Sequence, residues 1–240
     1  MTAFKDNVYE ICRAVCDEFP EWKFVSGQFV NRSLKHTELQ VYLGFGFRHG
    51  STAVVPSVTL LNKRVTKLGK QVLGGGGWFT SLVNLQTVAQ LLTHTPEKRR
   101  TSYWIHENKE EYFTLAPPTQ AVRDQTIDIS EARDAIIATM KDAIAFINSH
   151  YDLSSEENFL KGLPAKYETR HPNSPYDQMD GGKGVALCLV KILLGDFDFI
   201  GHYMSDDFKT IFPKQMNELQ KIADALPDLK RRYTETGSVI

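Results

Sequence analysis

Several stretches of this 240-residue chain combine residue types that could do chemistry. Glu107 and Lys109 have the Glu-x-Lys spacing of a broad class of metal-dependent nucleases, which also need an acidic metal ligand on a preceding strand. No aspartate lies between Asp17 and Asp124, and Glu38 is the only acidic residue between Trp22 and Pro96. A nuclease on this chain would therefore use Glu38, Glu107 and Lys109. The run from His106 to Glu110 begins like the helix of zinc proteases but lacks the second histidine four residues on. Asp196, Asp198 and His202 form another cluster. On a helix, Asp198 and His202 would share a face and could share a metal, although acids near helix ends also serve as caps and dipole partners.

Two glycine-rich runs invite a phosphate-binding reading. Gly74 to Gly77 lacks the Gly-Lys-Ser/Thr ending of a phosphate loop, so a hairpin connection is expected. Asp180 to Gly184 does lead into a helix whose first amides could face an anion, but Asp180 opposes one. No Gly-x-Ser-x-Gly nucleophile motif is present. Cys12 and Cys16 are four apart beside an apolar helical stripe, with Cys188 distant, and no Cys/His metal spacing occurs. Packing is the expected role of these thiols. Their odd, sparse number fits a reducing cytoplasm. The residues from Met1 to Asp6 show no secretory signal core, and the most apolar run, Val185 to Leu194, is half the length of a membrane span. A cytoplasmic protein without a membrane partner is the expectation, and no metal or cofactor is assigned.

The elements that must hold these residues follow from periodicity. Phe4, Val8, Ile11, Cys12, Val15 and Phe19 recur in steps of three and four, which predicts a helix ending at Pro20. Trp22–Asn31, Glu38–Arg48 and Thr52–Asn62 read as three strands, with Leu39, Val41, Leu43, Phe45 and Phe47 on one face. Trp78–Leu82 resumes the strand pattern, Asn84–Thr93 suits a short helix, and Ser102–His106 with Tyr112–Leu115 suits a hairpin across Glu107–Glu111. Asp128 and Glu131 then form a capping-box signature before Ile129, Ile136, Met140, Ile144, Ile147 and Tyr151 at helical spacing. Helices are also predicted over Ser155–Gly162, Gly184–Leu194 and Phe212–Leu226, with a Pro- and Gly-containing loop over 164–182. The fold class is α+β: an N-terminal helix, an antiparallel sheet of about five or six strands, and a C-terminal helical region. The expected division is 1–123, helix plus sheet, and 124–240, helical, packed together as one compact unit.

Net charge over the whole chain is −1, which gives no overall bias toward nucleic acid. Residues 18–123 nevertheless hold thirteen Lys and Arg against seven Glu, a net +6, and residues 124–240 hold thirteen against nineteen acids, a net −6. A basic sheet face carrying Arg48, Lys63, Arg64, Lys67 and Lys70, with Trp78 for stacking, could bind nucleic acid through phosphates and bases. Opposed charged surfaces also steer protein partners.

The order of features, from the amphipathic helix through the Trp/Phe strand, Glu38–Arg48 and Val55–Leu61 into Lys63–Lys67, is similar to that of a loose group of uncharacterised bacterial cytoplasmic proteins of the toxin-immunity type. The resemblance covers residues 1–115 and carries no catalytic residue. It implies a non-enzymatic protein-binding protein that blocks a toxin. An acidic surface would mimic a nuclease's substrate, so the expected contact residues are Tyr167, Tyr176, Asp177, Asp206 and Asp207. A metal-dependent nucleic-acid enzyme using the basic sheet is the alternative.

Overall fold

The structure, a computed structural model, describes residues 2–74, 83–85, 94–99, 102–115, 117–163, 181–209 and 214–240. The α+β class holds: an N-terminal helix, then strands, then C-terminal helices. Helix α1 spans Thr2–Val15. Its stripe of Phe4, Val8, Cys12 and Val15 is buried as the spacing predicts, and Tyr9 meets the ring of Phe24 at 5.2 Å and that of Phe47 at 5.6 Å.

Each of the three long strands expected from alternation is broken once. Trp22–Asn31 is a hairpin of β1 (Trp22–Val25) and β2 (Gln28–Asn31). Ser26 and Gly27 turn it with φ of 53° and 85°, the twist that matches flanking right-handed strands. Glu38–Arg48 divides into β3 (Thr37–Tyr42) and β4 (Gly46–Arg48), and Thr52–Asn62 into β5 (Ser51–Val54) and β6 (Ser57–Asn62). These breaks face each other. Gly44 adopts φ +57°, and a Cβ there would lie 2.6 Å from the carbonyl oxygen of Val55. The Val55 amide donates to Leu43 O at 2.8 Å, and Pro56 beside it has no N–H to offer a ladder.

The breaks distribute the strands over two sheets. With β7 (Val83–Leu85), the first has the order β1-β2-β3-β6-β7. The second has the order β4-β5-β8-β9, with β8 at Tyr103–His106 and β9 at Thr126–Asp128. β8 and β9 are parallel, so a crossover must join them. The expected hairpin partner Tyr112–Leu115 is accordingly helical: α3 (Lys109–Leu115) and α4 (Gln120–Gln125) make the crossover. Asn84 and Leu85 lie in β7 rather than at a helix start, and residues 78–82 and 86–93 lie outside the described ones.

Two compact units emerge, and their boundary is not at residue 123. One comprises Met1–Ser33, Glu38–Thr59 and Asn84–His150; the other comprises Leu34–Thr37, Leu60–Val83 and Tyr151–Ile240. In the first unit the predicted capping box is present at Asp128 and Glu131, and α5 (Ala132–His150) follows. Asp142, buried on α5, accepts hydrogen bonds from the His94 and Thr95 amides at 2.8 and 2.7 Å and so fixes that segment.

The second unit contains α2 (Lys63–Leu73), α6 (Glu156–Gly162), α7 (Gly181–Leu193), α8 (Phe199–Met204) and α9 (Met216–Thr236). Asn62 ends β6 and caps α2 by accepting from the Arg64 and Val65 amides. Helix α7 is the apolar run read from the sequence, buried from Val185 to Val190, and it admits Tyr203 of α8 against Gly184, where any Cβ would collide with the phenol. Helix α9 continues ten residues past the expected end at Leu226, through Pro227 to Thr236.

The corner at Gly44 gives a direct test. Gly44→Ala combines positive φ with a carbonyl in the path of its methyl, so unfolding free energy should drop by about 2–3 kcal/mol. Urea denaturation of the variant checks this. Gly46→Ala, whose Cβ would meet only Ala53 at an ordinary 3.7 Å, should cost far less.

Candidate functional site

The second sheet has two unlike faces. Thr52, Val54, Tyr103, Ile105 and Ile127 are buried on one, as strand alternation requires. The other face presents Arg48, Ser51, His106 and Asp128 as register neighbours across β4, β5, β8 and β9. Ala53, Trp104 and Thr126 form the next row on that face.

The crossover helices and the β4–β5 turn convert this outer face into a cleft of about 550 Å³, within the usual range for binding sites. Its floor includes Ser51, Trp104, His106 and Thr126. Its walls include His49, Gly50, Glu107, Asn108, Glu111, Tyr112, Leu115 and Val122, with Arg48 at one end.

Local hydrogen bonds place each wall. The Asn108 side chain accepts from the Glu111 amide at 3.1 Å and starts α3. Lys109 pairs with Glu131 at 2.6 Å, while its amide donates to Asp128 at 3.4 Å, so α3 is tied to the start of α5. Lys109 and the Asp128 amide hold the Glu131 carboxyl below its usual range. Burial works against Asp128, but hydrogen bonds from Ser130 and the Lys109 amide also keep it low. Thr119 caps α4, and the Thr126 hydroxyl donates to Val122 O at 2.7 Å. The Glu107 amide donates to Gly50 O at 2.9 Å and joins β8 to the β4–β5 turn.

The floor is aromatic. Tyr112 lies over His106 with ring centroids 4.2 Å apart, Trp104 is 6.4 Å from His106, and the Arg48 guanidinium carbon is 5.5 Å from the Trp104 centroid. His106 is only 7% exposed, and burial pushes its pKa below 6.5 against the opposing charge of Asp128. At the rim, Leu115 is 80% exposed, Tyr112 40% and Val122 37%.

Ser51, His106 and Asp128 have the residue types of a nucleophile–base–acid triad, and the strand register brings them abreast. They are not coupled as one: among the described residues no hydrogen bond joins Ser51 to His106 or His106 to Asp128, and the Asp128 carboxylate is occupied by Ser130 and Lys109. No group of three His, Cys, Asp or Glu residues positioned to hold a metal occurs among the described residues.

The sequence-derived candidates separate. Glu38 belongs to β3 in the other sheet, where it pairs with Arg32 and accepts from Gln40, so it does not join Glu107; Lys109 is engaged by Glu131. Asp196 accepts from the Phe199 amide at 3.2 Å, Asp198 pairs with Lys230 at 3.1 Å, and His202 meets the Phe208 ring at 5.0 Å. These acids act as cap and ion-pair partner. Lys63, Arg64, Lys67 and Lys70 lie on helix α2 rather than on a strand, so they are not on the basic sheet face expected, while Arg48 is on β4. Asp206 and Asp207 are exposed in a turn after α8. Trp78, Tyr167, Tyr176 and Asp177 lie outside the described residues. Burial raises the thiols of Cys12 and Cys188 to about 12, in keeping with packing roles.

Sequence reading missed the cleft because it placed Tyr112–Leu115 on a strand. The signal was present: Asn108 followed by Glu111 is an N-cap with an acid at the third helical position. No helix among the described residues is long and apolar enough to cross a membrane. No protein family, curated protein or solved structure matches the chain.

The depressed pKa of His106 makes stability depend on pH. The unfolded chain takes up a proton near 6.5 while the folded chain resists it, so this contribution is complete above 6.5 and is lost as pH falls through the lower folded value. Unfolding free energy measured from about pH 7.5 to 5.5 should decline less steeply in His106→Gln than in the parent chain.

Proposed function

We propose that this chain is a non-enzymatic protein-binding protein and that the cleft on its second sheet is where the partner docks. The observation that carries the reading is the rim: Leu115, Tyr112 and Val122 are exposed together around a floor of Trp104 and His106, beside Arg48. Trp, Tyr and Arg are the residue types that dominate binding energy at protein interfaces. An apolar side chain as exposed as Leu115 gains only when something covers it. A toxin encoded beside the chain is the partner that the sequence resemblance implies, with the chain as its immunity protein.

The metal-dependent nuclease reading has no comparable support, since Glu38 and Lys109 are each held in a separate ion pair and the lysines of α2 lie on a helix rather than on a strand. The acidic turn at Asp206 and Asp207 is the competing docking surface.

Both surfaces can be tested with the purified product of the adjacent gene. Leu115→Asp should weaken binding by roughly 30-fold, the effect of losing about 2 kcal/mol at an anchor. Asp206→Lys combined with Asp207→Lys should leave affinity and association rate unchanged. The reverse pattern moves the interface to the acidic turn. Failure of the chain to bind that product or neutralise its toxicity counts against the immunity role.

A further inference from the structure

We infer that the cleft receives an arginine side chain of the partner, carried next to an apolar residue. The inference rests on reading the cleft as a protein-docking surface and assigns the chemistry of what docks there. Three independent features converge on a guanidinium.

The first is unpaired negative charge. Glu107 and Glu111 both line the cleft and are exposed, and among the described residues neither carboxylate has a Lys, Arg or His ion-pair partner. The one charged hydrogen bond at Glu111 is a long 3.4 Å contact from the Asn108 amide group. Four other acids of the same unit are in ion pairs: Glu131 with Lys109, Asp124 with Lys98, Glu18 with Arg133 and Glu38 with Arg32. Arg48, the one Lys or Arg among the residues lining the cleft, is stacked on Trp104 and forms no ion pair among the described residues.

The second is His106. Its ring is 7% exposed at the floor, and no hydrogen bond reaches its nitrogens among the described residues. Those nitrogens are not sealed from solvent, so they open on the cleft and can bond what enters it. A neutral imidazole offers an acceptor nitrogen, and a guanidinium carries donors to spare.

The third is the aromatic and aliphatic surface. Tyr112 uses one side of its ring on His106 and is still 40% exposed, so ring surface remains for a planar cation. Leu115 and Val122 continue from it and suit both the methylene stem of arginine and an adjacent apolar side chain. Carboxylates, an aromatic face and an apolar wall in one cleft match arginine better than lysine, whose ammonium is more strongly hydrated and lacks a plane to stack.

Two small probes isolate the charge. N-acetyl-leucyl-arginine amide and its citrulline counterpart have nearly the same shape, but only the first is cationic. Titration of each into the full chain is followed by the indole N–H resonance of Trp104, assigned by its absence in Trp104→Phe. The arginine peptide should shift that resonance saturably and bind about tenfold more tightly than the citrulline peptide. Salt of about 0.5 M should narrow the difference. The double variant Glu107→Gln, Glu111→Gln should remove it while leaving citrulline binding unchanged.

Equal affinity of the two peptides for the parent chain overturns the arginine assignment and leaves the docking surface standing. A preference for arginine that survives the double variant also overturns it, because the charge recognised would then lie elsewhere. If neither peptide moves the Trp104 resonance, the assignment fails. If, in addition, Leu115→Asp binds the adjacent gene product normally, the docking reading fails with it.

Discussion

The arrangement of the first compact unit depends on one close approach, the contact between Gly44 and the peptide of Val55. Two runs of alternating residues, Glu38–Arg48 and Thr52–Asn62, are each long enough to make a single strand. Both are interrupted at the same place, one by a glycine at φ +57° and the other by Pro56. The hydrogen bond from Val55 N to Leu43 O holds the corner shut, and there is no room there for a side chain on residue 44. Before the corner, β3 pairs with β2; after it, β4 pairs with β5 in another sheet. A side chain at residue 44 would oppose this change of direction, because it would need both a left-handed backbone and the space filled by a carbonyl.

The second sheet inherits its two-faced character from that corner. One face is spent on the core. The other would be an ordinary solvated surface if β8 continued into a hairpin, but its neighbour β9 runs parallel. Parallel pairing obliges the chain to cross over the sheet, and α3 and α4 make that crossing on the side of Ser51, Trp104 and His106. These helices are only seven and six residues long, too short to cover the face, so a cleft remains and Leu115 stays in solvent. Burying a leucine is worth about 1.5–3 kcal/mol. That stabilisation is forgone at Leu115 as long as nothing covers it.

Much of the fold could be read from residues that obey one local rule. The stripe of α1, the capping box at Asp128 and Glu131, the short helix α6 and the buried apolar run of α7 all lie where spacing and cap chemistry put them. What escaped was set by competition between rules. Alternation across Trp22–Asn31 concealed the turn at Ser26 and Gly27, although Ser-Gly between apolar runs is itself a turn signal. Alternation across residues 38–48 concealed the role of Gly44, because nothing local says that Val55 will press against it. Tyr112 and Phe113 favoured a strand by composition, whereas Asn108 and Glu111 favoured a helix by capping. The parallel pairing of β8 with β9, a contact more distant in sequence, agrees with the caps. The cleft was hidden for the same reason, since its wall is the element misread.

Charge shows the same limit in another form. The net +6 over residues 18–123 comes partly from Lys63, Arg64, Lys67 and Lys70, which lie on α2 outside the sheet unit, and partly from lysines and arginines already paired with acids. The residues that line the cleft include two carboxylates with no ion pair among the described residues, and one arginine set against Trp104. A segment that is basic by composition therefore contains a cleft with more acidic side chains than Lys or Arg in its lining. An incoming group senses the charges left uncompensated within about a Debye length, roughly 10 Å at ordinary ionic strength, and not the sum along the sequence. For this cleft those charges favour a cation, and the surrounding rings and aliphatic side chains favour one that is planar and carried on an apolar stem.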